Sequence, residues 1–308
     1  WYDGTTQESI DHYYLAIPMT DQKAFADYSP TAFDRLMGRS ILWKTMEELA
    51  DCYHPGLKRY VSTGGRTTPF YATQVQDGVQ HIAHVMTKNG ALTDLDKIQS
   101  REQEMRSKAV NKPPIIGHDL PPRRVAMQAL KSPWAPDWLS EIFENKPLPF
   151  EMTATFRQWG SFLKEPKWKK SWLGQNYGVA SYDFCTSPTI NLQALWKRTP
   201  EPITSASDLG QLLIRFGYNR TNFIDTMKGG TLGNMGGSIA VLQHKGKMLV
   251  ACSPNEDLKG SHFDPAKAEI KSLQTSICLF TLQDKPTWNI WIDGKEVSIP
   301  ALAASYTG

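Results

Sequence analysis

The sequence lacks the features that mark several large classes of protein. It holds no apolar run near the ~18 residues that would suggest a membrane-crossing helix, although 40% of its 308 residues are hydrophobic. It has no strong excess of one charge, since 34 Lys and Arg stand against 31 Asp and Glu, a formal +3. That balance is not the footprint of a nucleic-acid binder. Cysteine is scarce, at positions 52, 185, 252 and 278. No two of these sit at CxxC spacing, which excludes a zinc knuckle or a thioredoxin motif, and four scattered cysteines do not make a disulfide scaffold. Cys252 and Cys278 lie in apolar, strand-like runs, where a buried free thiol is the simpler expectation. Motifs with GxGxxG, GxxxxGKS, GxSxG or HExxH spacing are absent, as is an EF-hand loop. The one Gly-rich stretch, residues 229–237, sits between strand-like segments rather than opening a helix, and reads as a bend.

Aromatics are plentiful: 10 Trp, 11 Tyr and 12 Phe. This supply argues against global disorder and supports a sizeable core. Apolar spacing divides the chain in two. From residue 8 to about 145 the period is helical. Phe33, Leu36, Met37, Trp43, Met46, Leu49, Ala50 and Tyr53 form one stripe, opened by Ser29-Pro30-Thr31 and closed by His54-Pro55-Gly56. Tyr71, Val75, Val79, Ile82 and Met86 form another. An earlier helix holds Ile10, Tyr13, Tyr14 and Ile17 and is expected to break at Pro18. Shorter helices are expected at 122–130 and 136–144. Residues 96–112 read as a solvated helix face.

Beyond residue 150 the period changes to two, at 152–156, 238–243, 248–252, 275–280 and 288–292. Asp293-Gly294 and His244-Lys-Gly-Lys247 read as hairpin turns. The expected fold is therefore segregated α+β, with a helical domain at 1–148 and an antiparallel β domain at 149–308. Lys146-Pro-Leu-Pro149 is the linker between them.

Several residues have side chains suited to a site. Asp11-His12-Tyr13-Tyr14 puts an imidazole beside two phenols on one helical turn. Such a set can serve acid–base chemistry, or the aromatics can simply fill a core. Arg39 and Arg66 are candidate carboxylate ligands, Arg66 from the Ser62-Thr-Gly-Gly-Arg-Thr-Thr68 loop. In Lys164-Glu-Pro-Lys-Trp-Lys-Lys-Ser-Trp172, bases alternate with Trp168 and Trp172, which suits stacking and pairing with an acidic sugar. Lysines guarding a strand edge are the other reading of the same run. His244, at a strand end, is placed where a hairpin could turn it toward the helices. His81 and His84, three apart, could share a helix face, without the context of a zinc helix. Asn219-Arg220-Thr221 is a glycosylation sequon.

The order of these elements resembles a known group. A helical half with an Asp-His-Tyr-Tyr turn precedes a β half containing Trp172-Leu-Gly-Gln-Asn-Tyr-Gly-Val-Ala-Ser181. Leu232-Gly-Asn-Met-Gly-Gly-Ser-Ile-Ala-Val-Leu-Gln-His244 follows. This resembles the toroid-plus-β-sandwich polysaccharide lyases, the heparinase II/III-like and alginate-lyase-like enzymes. The Leu-Gly-x-x-Tyr-Gly-x-Ala-Ser segment is similar to an early strand of their sandwiches. The resemblance implies an α/α-toroid-like helical region, an antiparallel β-sandwich, and β-elimination on a uronate-containing glycan in the periplasm or outside the cell. It implies His12, Tyr13, Tyr14 and His244 as acid–base residues, with Arg39, Arg66, Trp168 and Trp172 holding substrate. No cofactor is implied beyond a structural divalent metal that some relatives carry, and no ligand set for it stands out. About 140 residues are few for a complete toroid at ~10–14 residues per helix, so a compact relative or a part of a longer chain is expected. Two other functions fit the same residues: a non-catalytic extracellular glycan-binding or structural protein, and a toroid glycoside hydrolase using two carboxylates ~5–9.5 Å apart.

Overall fold

The fold is seen in a computed structural model that describes residues 15–63, 78–87, 90–91, 122–156, 167–182, 192–205, 208–218, 239–252, 273–280 and 289–298. It is a mixed α+β structure in which helices, interrupted by one short β hairpin, precede the larger antiparallel sheets. The helices are α1 (Ala16–Tyr28), α2 (Ala32–Cys52), α3 (Gly78–Met86), α4 (Pro122–Lys131) and α5 (Asp137–Asn145). Among the described residues, no helix is long and apolar enough to cross a membrane.

The local sequence explains the helix ends. Thr31 caps α2, its Oγ1 accepting from the Asp34 amide at 3.0 Å, and Asp34 adds a carboxylate to the first turn. Pro30 restricts Ser29 to an extended backbone and so ends α1. Pro18 does not break its helix as expected. It falls in the first turn of α1, where its missing N–H has no intrahelical partner to lose. In the stripe expected on α2, Met46, Leu49 and Ala50 are buried, whereas Phe33, Leu36 and Met37 stand exposed. The first half of α2 instead meets α1 through Gly38, where a Cβ would lie 2.8 Å from the Ala26 amide nitrogen.

A short hairpin follows α2, pairing β1 (Tyr53–His54) with β2 (Arg59–Tyr60). The main sheet has six strands in the order β10-β7-β6-β5-β4-β3. These are β3 (Phe150–Phe156), β4 (Lys167–Leu173), β5 (Tyr177–Tyr182), β6 (Leu192–Lys197), β7 (Leu209–Tyr218) and β10 (Leu273–Phe280). Two further hairpins are β8 (Ile239–His244) with β9 (Lys247–Cys252), and β11 (Ile290–Ile292) with β12 (Lys295–Val297). The turn at Asp293-Gly294 has φ of 50° and 76°, as a primed hairpin turn requires.

Register divides the sheet into two faces, because side chains alternate along each strand. Met152, Ser171 and Ala180 form one cross-strand row, and Ala154, Lys169 and Tyr182 another. This face meets the helices. Met152 joins the core of α1–α5 beside Leu49, Leu139 and Phe143. Leu173, Ala180 and Leu195 pack with Leu57 and Val61 from the β1–β2 region. Trp168, Lys170, Trp172 and Ser181 therefore point to the opposite face. The segment 172–181, read as one strand, is instead a hairpin: β4 ends at Leu173 and β5 begins at Tyr177. The Gly174 amide donates to the Tyr177 carbonyl across the turn at 2.7 Å.

Candidate functional site: a basic aromatic groove on the outer sheet face

Period two puts Trp168, Lys170 and Trp172 in a line along β4, with ~13 Å between the tryptophans at 3.3 Å per residue. The β8–β9 hairpin lies over this line. The sheet and the hairpin border an open groove of about 700 Å³ lined by Trp168, Lys170, Ser181, His244, Lys247 and Leu249. Trp168 is 50% exposed there. Among the described residues that line the groove, none is a carboxylate. Among the described lining residues the cations therefore have no carboxylate beside them, and the ring offers an apolar platform next to them, a combination suited to an anionic sugar.

The aromatic line continues past the groove. Trp172 Nε1 donates to the Tyr177 hydroxyl at 3.2 Å. Lys245, in the hairpin turn with φ 53°, sets its ammonium 6.0 Å from the Trp172 ring centre. The lysine-guarded-edge reading of 164–172 does not describe β4, which pairs with β3 on one side and β5 on the other.

Polar side chains also gather on the helix-facing side, but there they are sealed. Lys169 Nζ lies 2.7 Å from Glu48 Oε1 and 3.4 Å from the Tyr60 hydroxyl, with both charged side chains almost wholly buried. Burial by itself would push the Lys169 ammonium down, yet Glu48, then Tyr60 and Cys52, hold it charged well above the usual lysine range. Burial raises the Tyr60 phenol and the Cys52 thiol. Cys52 is a free, buried thiol 3.6 Å from Ser171 Oγ, which itself donates to the Val61 carbonyl at 2.9 Å. These groups join the layers and are closed to a substrate. His54, also buried, has Nε2 2.8 Å from the Gly174 carbonyl while its Nδ1 accepts from the Leu57 amide at 3.2 Å, an arrangement that fits neutral imidazole.

The residues expected from the sequence are scattered. Trp168 and His244 share the groove, and Trp172 lies on the same face. Arg39 is exposed and borders a different groove of about 400 Å³, between α1, α2 and the α4–α5 connection, near Lys23, Asp27 and Trp43. His12, Tyr13, Tyr14 and Arg66 lie outside the described residues, as do the Gly-rich stretch, the sequon and residues 96–112. His244 does not turn toward the helices, because its hairpin packs on the other side of the sheet. His81 is buried while His84 is exposed, with Nδ1 2.9 Å from the Ala91 carbonyl, so the two do not form a shared metal face. Among the described residues no group of three or more His, Cys, Asp or Glu could hold a metal ion.

Sequence reasoning did not single out Lys170, Lys247 or Gln243. The alternation of β4 was the available signal for Lys170, since it puts Lys170 beside Trp168 and Trp172 and sends Lys169 to the helices. Nothing local marked Gln243, whose role depends on a strand 62 positions away. Compared with known proteins, the chain matches no family model, no curated protein and no solved structure.

Proposed function

We propose that the protein recognises an acidic, uronate-containing polysaccharide and cleaves it by β-elimination. The observation that carries this reading is the groove itself, with an exposed Trp168 beside Lys170, His244 and Lys247. In the reaction a base removes the C5 proton, the C4–C5 double bond forms as the C4–O4 bond breaks, and an acid returns a proton to the departing O4. Cations near the carboxylate stabilise the enolate that develops. Lys170 and Lys247 suit that electrostatic role, and His244 suits the proton transfer.

Hydrolysis would need two carboxylates flanking the scissile bond, and the described residues that line this groove include none. Glu47, one candidate, pairs with Lys44 at 2.5 Å, and Glu48 is spent on Lys169. In the lyase reading the helices belong to an α/α toroid, the stacked sheet and hairpin to a β-sandwich, and the protein works in the periplasm or outside the cell.

A second reading, recognition without turnover, is favoured by one observation: the groove opens on the sheet face away from the helices. Incubation with alginate, heparin, chondroitin and pectin separates the two. Growth of ultraviolet absorbance from the unsaturated uronate is the expected result. Binding without that absorbance would leave a glycan-binding protein, and neither binding nor absorbance on any of the four would sink both readings.

A further inference from the structure

Among the described residues the groove has two walls, and one of them is a two-stranded hairpin. A free hairpin is marginal in water, so something must seat it. The alternation of β8 buries Val241 and Gln243, each 8% exposed, and leaves Leu242 and His244 exposed along the groove. Gln243 then makes contacts in three directions. Its Oε1 accepts from Ser181 Oγ on β5 at 2.5 Å. Its Nε2 donates to the Val179 carbonyl at 3.3 Å and to the Lys245 carbonyl at 3.0 Å. Its own backbone carbonyl accepts from Lys170 Nζ at 3.3 Å. One side chain thus ties the hairpin to the sheet and braces the turn that carries His244 and Lys247, and the same residue's backbone orients Lys170. The turn has a second point of contact at Gly246, where a Cβ would lie 2.6 Å from the Tyr177 hydroxyl.

We infer that Gln243 is a positioning residue that holds His244, Lys247 and Lys170 in the geometry that binds the acidic glycan. It touches no substrate and acts through its neighbours. The inference rests on the proposed function for its ligand. It also goes beyond that reading, because it makes the groove conditional on one buried amide and predicts that the groove is lost when the hairpin lifts.

The test uses the full chain with Gln243→Leu, Ser181→Ala, Trp168→Ala and the pair Gln243→Leu/Trp168→Ala, with alginate and heparin as probes. Gln243→Leu is expected to weaken binding about tenfold, or ~1.4 kcal/mol, as the loss of a buried polar contact would. Ser181→Ala should weaken it less, since it removes one of the contacts. In the Trp168→Ala background, Gln243→Leu should cost less than twofold, because the positioned groups have lost their platform. Loss of fold alone would show the same penalty in both backgrounds. Amide hydrogen exchange over 239–252, measured without glycan, reads the clasp separately and should speed up in Gln243→Leu. Unchanged exchange overturns the inference whatever the glycans do. Faster exchange with wild-type affinity within twofold overturns the positioning role. A wild-type chain that binds neither probe strikes the proposed function, and with it the positioning role, while exchange still judges the clasp.

Discussion

At the scale of single residues, two side chains carry contrasting duties. Trp168 is half-exposed on an inner strand, where a large ring would ordinarily be covered. Its removal is expected to leave the fold intact and to weaken acidic-glycan binding roughly fivefold, about 1 kcal/mol, the order of one aromatic contact. Titration calorimetry on Trp168→Ala checks this. His54 is the opposite case, buried and structural. Burial pulls its imidazole down to about 4, against the opposing bond to the Gly174 carbonyl. The unfolded chain takes up this proton near the usual ~6.5, before the folded chain does. Stability from neutral His54 is therefore complete above that value and falls as pH drops toward 4, by about 3 kcal/mol in all. Urea midpoints between neutral and mildly acid pH should fall in the wild type. In His54→Gln they should fall less steeply.

At the scale of elements, close approach is set by small residues. Gly38 lets α2 meet the α1 backbone, since a Cβ there would sit 2.8 Å from both the Ala26 amide nitrogen and the Phe25 ring. Backbone cannot swing aside as a side-chain tip can. Gly38→Ala should push α1 off α2 and destabilise the protein by about 1–3 kcal/mol, despite the better helix propensity of alanine. Chemical denaturation is the measure, and a stabilised variant would show that the two helices have room to part. Local signals were strong for these elements. The Thr31 cap, the 122–130 and 136–144 helices and the hairpin turns at 244–247 and 293–294 all follow from short-range chemistry. The stripe on α2 was legible only in its second half. Whether Phe33 and Leu36 are covered depends on which neighbour reaches them, and periodicity does not contain that.

At the scale of the whole molecule, the helices and the sheet are joined by a buried charge pair between α2 and β4. Lys169→Met alone leaves Glu48 buried without its cation, and is expected to cost about 3–5 kcal/mol in a denaturation experiment. The double change Lys169→Met/Glu48→Leu should recover much of that loss, because two apolar side chains need no solvation. A double variant no more stable than the single one would show that the pair does more than hold the layers together. The sequence by itself determined that helices precede the main sheet, the places of α2 to α5, β3 and β8 to β12, and the presence of a tryptophan–lysine run. These depend on spacing, caps and turns, all within a few residues. Only the tertiary structure decided which face each residue of that run takes. Register with β3 and β5 sends Lys169 to Glu48 and Lys170 to the groove, though the two are adjacent in the chain. It also decided that His244 joins Trp168 on the outer face instead of turning to the helices, because the contacts of Gln243 with β5 seat the hairpin there. Those pairings span 62 to 121 positions, and their strength comes from burial and hydrogen-bond geometry that exist only once the layers have packed.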